Sequence, residues 1–229
     1  MFLVSGCSYT DSATWPTVLF DSNDLLNLGR SGSVNQYIGS SIVYNIDPAN
    51  LPEKVFILWS GLLRYDIPFP TKTIKLTAGS YPNQATVGNN TYVFSAGNPK
   101  QYPDKDNHLK VLTKEQILLF NSLYFKHNND HIKELSLQSI SQTLAVLDKY
   151  NVNYRFSFIY DVFSDNFDFN PGFGSILDKS VYIDQINWNK FINYPPFEWG
   201  IKNDCINDDG WHLTADGLDR WANEIKHKW

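Results

Sequence analysis

Between residues 54 and 60 the chain reads K-V-F-I-L-W-S, five consecutive apolar residues of high β-propensity bracketed by polar ones. The run has no polar alternation, so neither face of the strand it forms is meant for water, as in a parallel sheet covered on both sides. Outward from it, shorter strands are predicted at 2–5 (F-L-V-S) and at 24–28, and a longer aromatic one at Asn153–Tyr160. Helices are predicted at about 12–20 and 34–45, over 114–149 as one long helix or two abutting ones, and at Ala215–Lys226. In the last of these, Leu218, Trp221, Ala222 and Ile225 recur at helical spacing on one face. Strands that alternate with helices imply right-handed crossovers. The expectation is a three-layer α/β/α sandwich around a doubly wound parallel sheet of about five strands.

The chain has 229 residues, 42% of them hydrophobic, which suits one core and a single domain over 1–229. Two segments interrupt the α/β rhythm. Residues 67–112 are rich in proline, glycine and short alternating stretches such as Thr73–Thr77 and Thr91–Ser95, the pattern of an inserted loop or β-hairpin excursion. Residues 161–200 are irregular, acidic and dense in aromatics, including Phe163, Phe173, Trp188, Phe191, Phe197 and Trp199. These rings either wall a substrate groove or pin an irregular segment to the core.

A net charge of −5 leaves no basic surplus for phosphates, which argues against a nucleic-acid partner. Cys7 and Cys205 are too few for a disulfide framework. The opening M-F-L-V-S-G-C-S lacks a basic region and a long apolar core, so neither a signal peptide nor a membrane anchor is expected. The expected location is the cytoplasm. His127 and His131 are four apart on a predicted helix, but without a third ligand they read as a solvated face, and no metal or other cofactor is expected.

Chemistry in such a sheet gathers beyond the carboxyl ends of its strands. Gly6-Cys7-Ser8-Tyr9-Thr10 lies there after the first strand, and Asp209-Gly210-Trp211-His212 lies just before the last helix. Ser8 is a candidate nucleophile near free backbone N–H groups, or else a turn or N-cap serine. Cys7 and Ser8 leave the strand in opposite directions, so at most one faces the site, and Cys7 reads as a small buried hydrophobe. His212 is a candidate base, and Asp209, three residues upstream, can curl back to its far ring nitrogen. Asp208 is the rival for that role. Arg64 follows the third strand and either clamps an anionic substrate group or pairs with a carboxylate such as Asp66.

Taken together, these segments resemble the ordered blocks of the SGNH (GDSL-like) hydrolases. G-C-S-Y-T (6–10) is similar to their first block, N-L-G-R-S-G-S-V-N (27–35) to the second, and D-G-W-H (209–212) to the last. I-L-W-S-G-L-L-R-Y-D (57–66) stands where their third block belongs, and the style is closest to SGNH-like proteins of bacteriophages. The resemblance implies a flavodoxin-like SGNH sheet and an esterase using Ser8, His212 and Asp209, with Ser8 and Gly32 N–H groups as oxyanion donors. It implies a small ester or an acylated carbohydrate as substrate, and a virion location if phage-encoded; within the aromatic stretch after the fourth strand, Trp199 is the candidate substrate-binding ring. Two positions depart from the pattern. Cys7 replaces an aspartate, and Leu63 falls where an asparagine normally donates to the oxyanion, a loss for which Asn35 is the candidate substitute. The competing expectation is a retained fold serving as a glycan-binding or structural module.

Overall fold

The computed structural model describes residues 1–11, 13–62, 64–69, 72–78, 91–96, 129–164, 173–176 and 179–229, with 64–69, 72–78 and 91–96 described by backbone course alone. Four strands, β1 (Phe2–Ser5), β2 (Leu25–Asn27), β3 (Lys54–Trp59) and β7 (Tyr154–Phe158), form a parallel sheet in the order β2-β1-β3-β7. Phe2 stands opposite Leu25 on one side and Lys54 on the other, and Val55 stands opposite Tyr154.

Side chains alternate across a strand, so each strand feeds both layers. Leu3, Val55, Ile57, Trp59, Tyr154, Phe156 and Phe158 point to one face. There they meet Ile38 and Ile42 of α2 (Asn35–Tyr44) and Leu137, Ile140 and Leu144 of α3 (Asn129–Lys149). Val4, Phe56 and Leu58 point to the other face. They meet Trp15 and Leu19 of α1 (Trp15–Phe20), and Trp221, Ala222 and Ile225 of the C-terminal helix (Ala215–Lys226). On this side Trp15 packs edge-on against both Phe56 and Trp221, with centroids 5.7 and 5.4 Å apart. Each such fully buried ring contributes about 1.5–3 kcal/mol over an exposed one. The α/β/α sandwich is therefore read directly from the residue parity of β3.

The first crossover helix, α1, covers one face and the second, α2, the other, so the winding reverses between β1 and β3. That reversal opens a crevice beyond the carboxyl ends of these two strands.

The parallel sheet has four strands among the described residues, which corrects the expected five. The outer edge of β7 is where a fifth would add. There Phe191 alone makes a parallel bridge to Phe156, and Ile192 N–H donates to the Phe156 carbonyl at 2.8 Å. Two residues on, the Tyr194 N–H turns back to the Ile192 carbonyl at 2.8 Å, and Pro195 and Pro196 beyond it supply no N–H, so the pairing stops there.

A second sheet holds β4 (Arg64–Phe69), β5 (Lys72–Ala78) and β6 (Thr91–Ala96) in that order, with β4 antiparallel and β6 parallel to β5. Residues 97–112 of the expected excursion, and 114–128 of the expected long helix, lie outside the described residues.

The stretch 161–200 is less irregular than its composition suggests. It contains 3-10 turns at Gly174–Ile176 and Trp188–Lys190, and then α4 (Pro196–Lys202) begins. Phe173, Trp188 and Phe191 pack around Phe156 and Phe158 with centroids 5.5–6.2 Å apart, so these rings pin the segment to the core. No described helix is long and apolar enough to cross a membrane.

Candidate active site

The turn after β1 is closed by its own backbone: Thr10 and Asp11 N–H both donate to the Cys7 carbonyl, at 2.9 and 3.0 Å. Cys7 turns inward and is fully buried, while Ser8 stays at the sheet's carboxyl edge. The next turn, after β2, is laced to this one. Asn27 donates its side-chain amide to the Thr10 carbonyl at 2.9 Å, and Arg30 N–H donates to the Gly6 carbonyl at 3.1 Å. Gly29 permits this approach, because a Cβ there would stand 2.6 Å from the Thr10 carbonyl carbon. Gly32 has a positive φ of 72°. Among the described residues neither the Ser8 nor the Gly32 N–H donates to a protein acceptor.

The last motif is the tip of a short hairpin. Ile206 bridges Leu213 in antiparallel sense, and Asn207 N–H donates to the His212 carbonyl at 2.7 Å. Gly210 turns the chain with φ +74°, a conformation costly to any residue with a Cβ. The hairpin then enters the C-terminal helix, α5 (Ala215–Lys226), whose N-cap Thr214 accepts from Gly217 N–H.

These two loops meet across 204 residues. Ser8 Oγ lies 2.9 Å from His212 Nε2, and His212 Nδ1 lies 2.6 Å from Asp209 Oδ2. The other oxygen of Asp209 accepts the Trp211 and His212 backbone N–H groups at 2.8 and 2.9 Å. Partial burial pulls the Asp209 carboxyl upward, but those backbone donors and the His212 ring outweigh it and hold it below the usual carboxylate range. An ionised Asp209 can only accept, so the ring donates Nδ1–H to it, which leaves the Nε2 lone pair facing the Ser8 hydroxyl. Asp208, the rival, is exposed and has no bond to the ring.

The remaining candidates divide. Asn35 is fully buried, accepts from Ser60 N–H at 2.9 Å, and aims its amide at the Ser60 and Gly61 carbonyls at 3.3 and 3.5 Å. It latches the turn after β3. Trp199, the candidate wall, is 5% exposed, packs in the α1/α5 layer, and carries the Arg220 guanidinium over its ring at 5.6 Å. Arg64 opens β4 opposite Thr77, and its side chain lies outside the described residues, as do Leu63 and His127. Among the described residues no group of three or more His, Cys, Asp or Glu could hold a metal.

Two neighbours escaped the sequence reading. Tyr9 is 2% exposed, with its ring centroid 5.4 Å from that of His212 and its hydroxyl donating to the Trp211 carbonyl. Glu198 sits on α4. Its Oε1 accepts the Asp161 N–H at 2.8 Å, and its Oε2 is buried without a hydrogen-bond partner. Burial pushes its carboxyl up to about 7, against the Asp161 N–H that favours the charge. The start of α4 did carry a signal, Pro195-Pro196-Phe197-Glu198, proline in the first turn followed by an acid.

No protein-family model and no curated protein matches the sequence. Among solved structures, one similar chain is a Streptococcus pneumonia protein provisionally named a platelet activating factor. The two share 12% identity with a TM-score of 0.39, over 99% of this chain and 82% of that one.

Proposed function

We propose that this protein is a serine ester hydrolase of the SGNH type, acting through an acyl-enzyme on Ser8. The observation that carries the reading is the continuous line from Ser8 Oγ through His212 to Asp209, at 2.9 and 2.6 Å. Ser8 Oγ attacks the ester carbonyl as its proton passes to His212 Nε2. The resulting imidazolium is balanced by the Asp209 carboxylate. His212 returns the proton to the leaving alcohol, and the acyl group stays on Ser8. Water then repeats the sequence, losing a proton to His212 and releasing the acid. The charge that develops on the carbonyl oxygen is met by the Ser8 and Gly32 N–H groups, neither of which donates to a protein acceptor among the described residues.

The substrate class follows the resemblance of the sequence blocks: a small ester or a carbohydrate O-acetyl group. Leu63, standing where an oxyanion-donating asparagine is expected, favours a second reading, a glycan-binding or structural module on the same fold, for example in a phage particle. A fluorophosphonate probe separates the two. The expected result is stoichiometric labelling of the wild type, none of Ser8→Ala, and parallel loss of hydrolysis of a small acetyl ester. A wild type that neither labels nor turns over the ester sinks the hydrolase reading and leaves the binding module.

A further inference from the structure

The Ser8–His212 contact joins two loops at opposite ends of the chain, and its length depends on how the hairpin tip is held. The peptide unit between Trp211 and His212 is pinned at both ends. Its N–H donates to Asp209 Oδ1, and its carbonyl accepts the Tyr9 hydroxyl. The first bond stays within the hairpin, whereas the second crosses to the residue next to Ser8. This peptide plane sets the N–Cα axis of His212, and the Asn207 N–H on the His212 carbonyl at 2.7 Å holds the next plane, so together they direct the Cα–Cβ bond and limit where Nε2 can reach.

Tyr9 is itself placed on three sides. Its carbonyl accepts the Trp15 indole N–H at 2.7 Å, its backbone belongs to the turn closed on the Cys7 carbonyl, and its ring lies against His212. Trp211 is backed in turn by Phe197, stacked at 5.8 Å and 7°. We propose that Tyr9 is a positioning residue of this site: its hydroxyl, through the Trp211 carbonyl, sets the His212 ring at proton-transfer distance from Ser8. The inference rests on the hydrolase reading for its kinetic consequence but not for its geometry. Burial first, then the neighbouring Tyr160, Cys7, Glu198 and Asp209, raise the phenol well above its ordinary range, so the hydroxyl remains a donor wherever the enzyme is folded.

The test is Tyr9→Phe, which keeps the ring and removes one oxygen. Loss of this one hydrogen bond should bring about a fivefold fall in kcat for a small acetyl ester and in the rate of fluorophosphonate labelling, with KM within about twofold. Final labelling should still reach one probe per chain. Wild-type rates in a folded Tyr9→Phe overturn the proposal while leaving the hydrolase intact. Should the wild type prove unreactive, the hydrolase reading fails alone, and the histidine ring 15N signals decide for Tyr9. A His212 ring whose signals are unchanged in Tyr9→Phe overturns the positioning role, and exchange-broadened or shifted signals support it. If Tyr9→Phe does not fold, the wild-type hydroxyl proton serves instead. Slow exchange with water supports the tie, and exchange as fast as a free phenol refutes it.

Discussion

Asp209→Asn tests the tautomer argument more sharply than deletion does. Asp209 makes three bonds with two oxygens, Oδ1 to the N–H groups of Trp211 and His212, and Oδ2 to the ring at Nδ1. Asparagine has one oxygen. Directed at the two backbone donors, it leaves an NH2 facing Nδ1, so the ring must accept there and carry its proton on Nε2. That proton then points at Ser8 Oγ, and the base is gone. The flipped amide restores the tautomer but sets an NH2 against two N–H groups. Each donor left without an acceptor costs about 1–3 kcal/mol, so the flip costs about 2–6 kcal/mol in total. The lower half of that range applies, because the side chain is 43% exposed and water can compensate.

Adding the lost stabilisation of the imidazolium, kcat should fall between about a hundredfold and ten-thousandfold, with KM little changed. The assay is steady-state hydrolysis of a small acetyl ester near neutral pH, with urea unfolding to confirm the fold. Asp209→Ala supplies the control. It leaves a gap that water fills and a ring free to adopt either tautomer, so it should retain more activity than Asp209→Asn despite the larger excision. An asparagine variant within tenfold of wild type, or an alanine variant slower than the asparagine one, refutes the reasoning.

Glu198→Gln should change how stability depends on pH. A carboxyl raised to about 7 in the fold binds its proton more tightly there than in the unfolded chain, so wild-type stability relative to the glutamine variant is highest below about pH 4.5 and declines as pH rises through 7. Discounted for partial exposure, the loss is about 1–2 kcal/mol between pH 5 and 8 in urea titrations, and a difference that stays constant over that interval contradicts it. Gly39→Ala should destabilise although alanine is the better helix former by about 1 kcal/mol, because the new Cβ would stand 2.3 Å from Thr143 Oγ1 where α2 meets α3. Overpacking of about 1–3 kcal/mol should prevail and be relieved by adding Thr143→Ala, whereas a more stable single variant would show that the two helices have room to part.

The parity of β3 made the layers readable in advance, since Val55, Ile57 and Trp59 on one face and Phe56 and Leu58 on the other could be apolar together only between two layers of helices. The C-terminal helix was legible to its last residue, because Thr214 caps it and its buried face repeats cleanly. The placement of Ser8, His212 and Asp209 beside one another was legible because each rests on local chemistry: a turn after a strand for Ser8, and a three-residue reach for Asp209 to His212. What stayed hidden depends on distant partners. Nothing near Trp199 announces that its ring is buried under Arg220 and not open to a groove. Among the described residues, the pairing at the edge of β7 ends where Tyr194 N–H turns back to the Ile192 carbonyl, a turn that only the folded edge reveals.

Tyr9 and Glu198 show why a site is less legible than a triad. A triad recurs in sequence because its chemistry needs those residue types. The supports need only a hydroxyl, a ring or a carboxyl arriving from wherever the fold can deliver it, so no spacing betrays them. Here the supports come from both ends of the chain, and the asymmetry is informative. Ser8 lies on a turn buried against the core and laced to the β2 loop, whereas Asp209 and His212 ride on a hairpin tip whose side chains are 43% and 32% exposed. The hairpin that carries His212 is therefore the less enclosed of the two loops. A tie from the Ser8 turn to the hairpin, such as the Tyr9 hydroxyl on the Trp211 carbonyl, bears directly on the Ser8–His212 distance, because the hairpin has less of its own packing to set it.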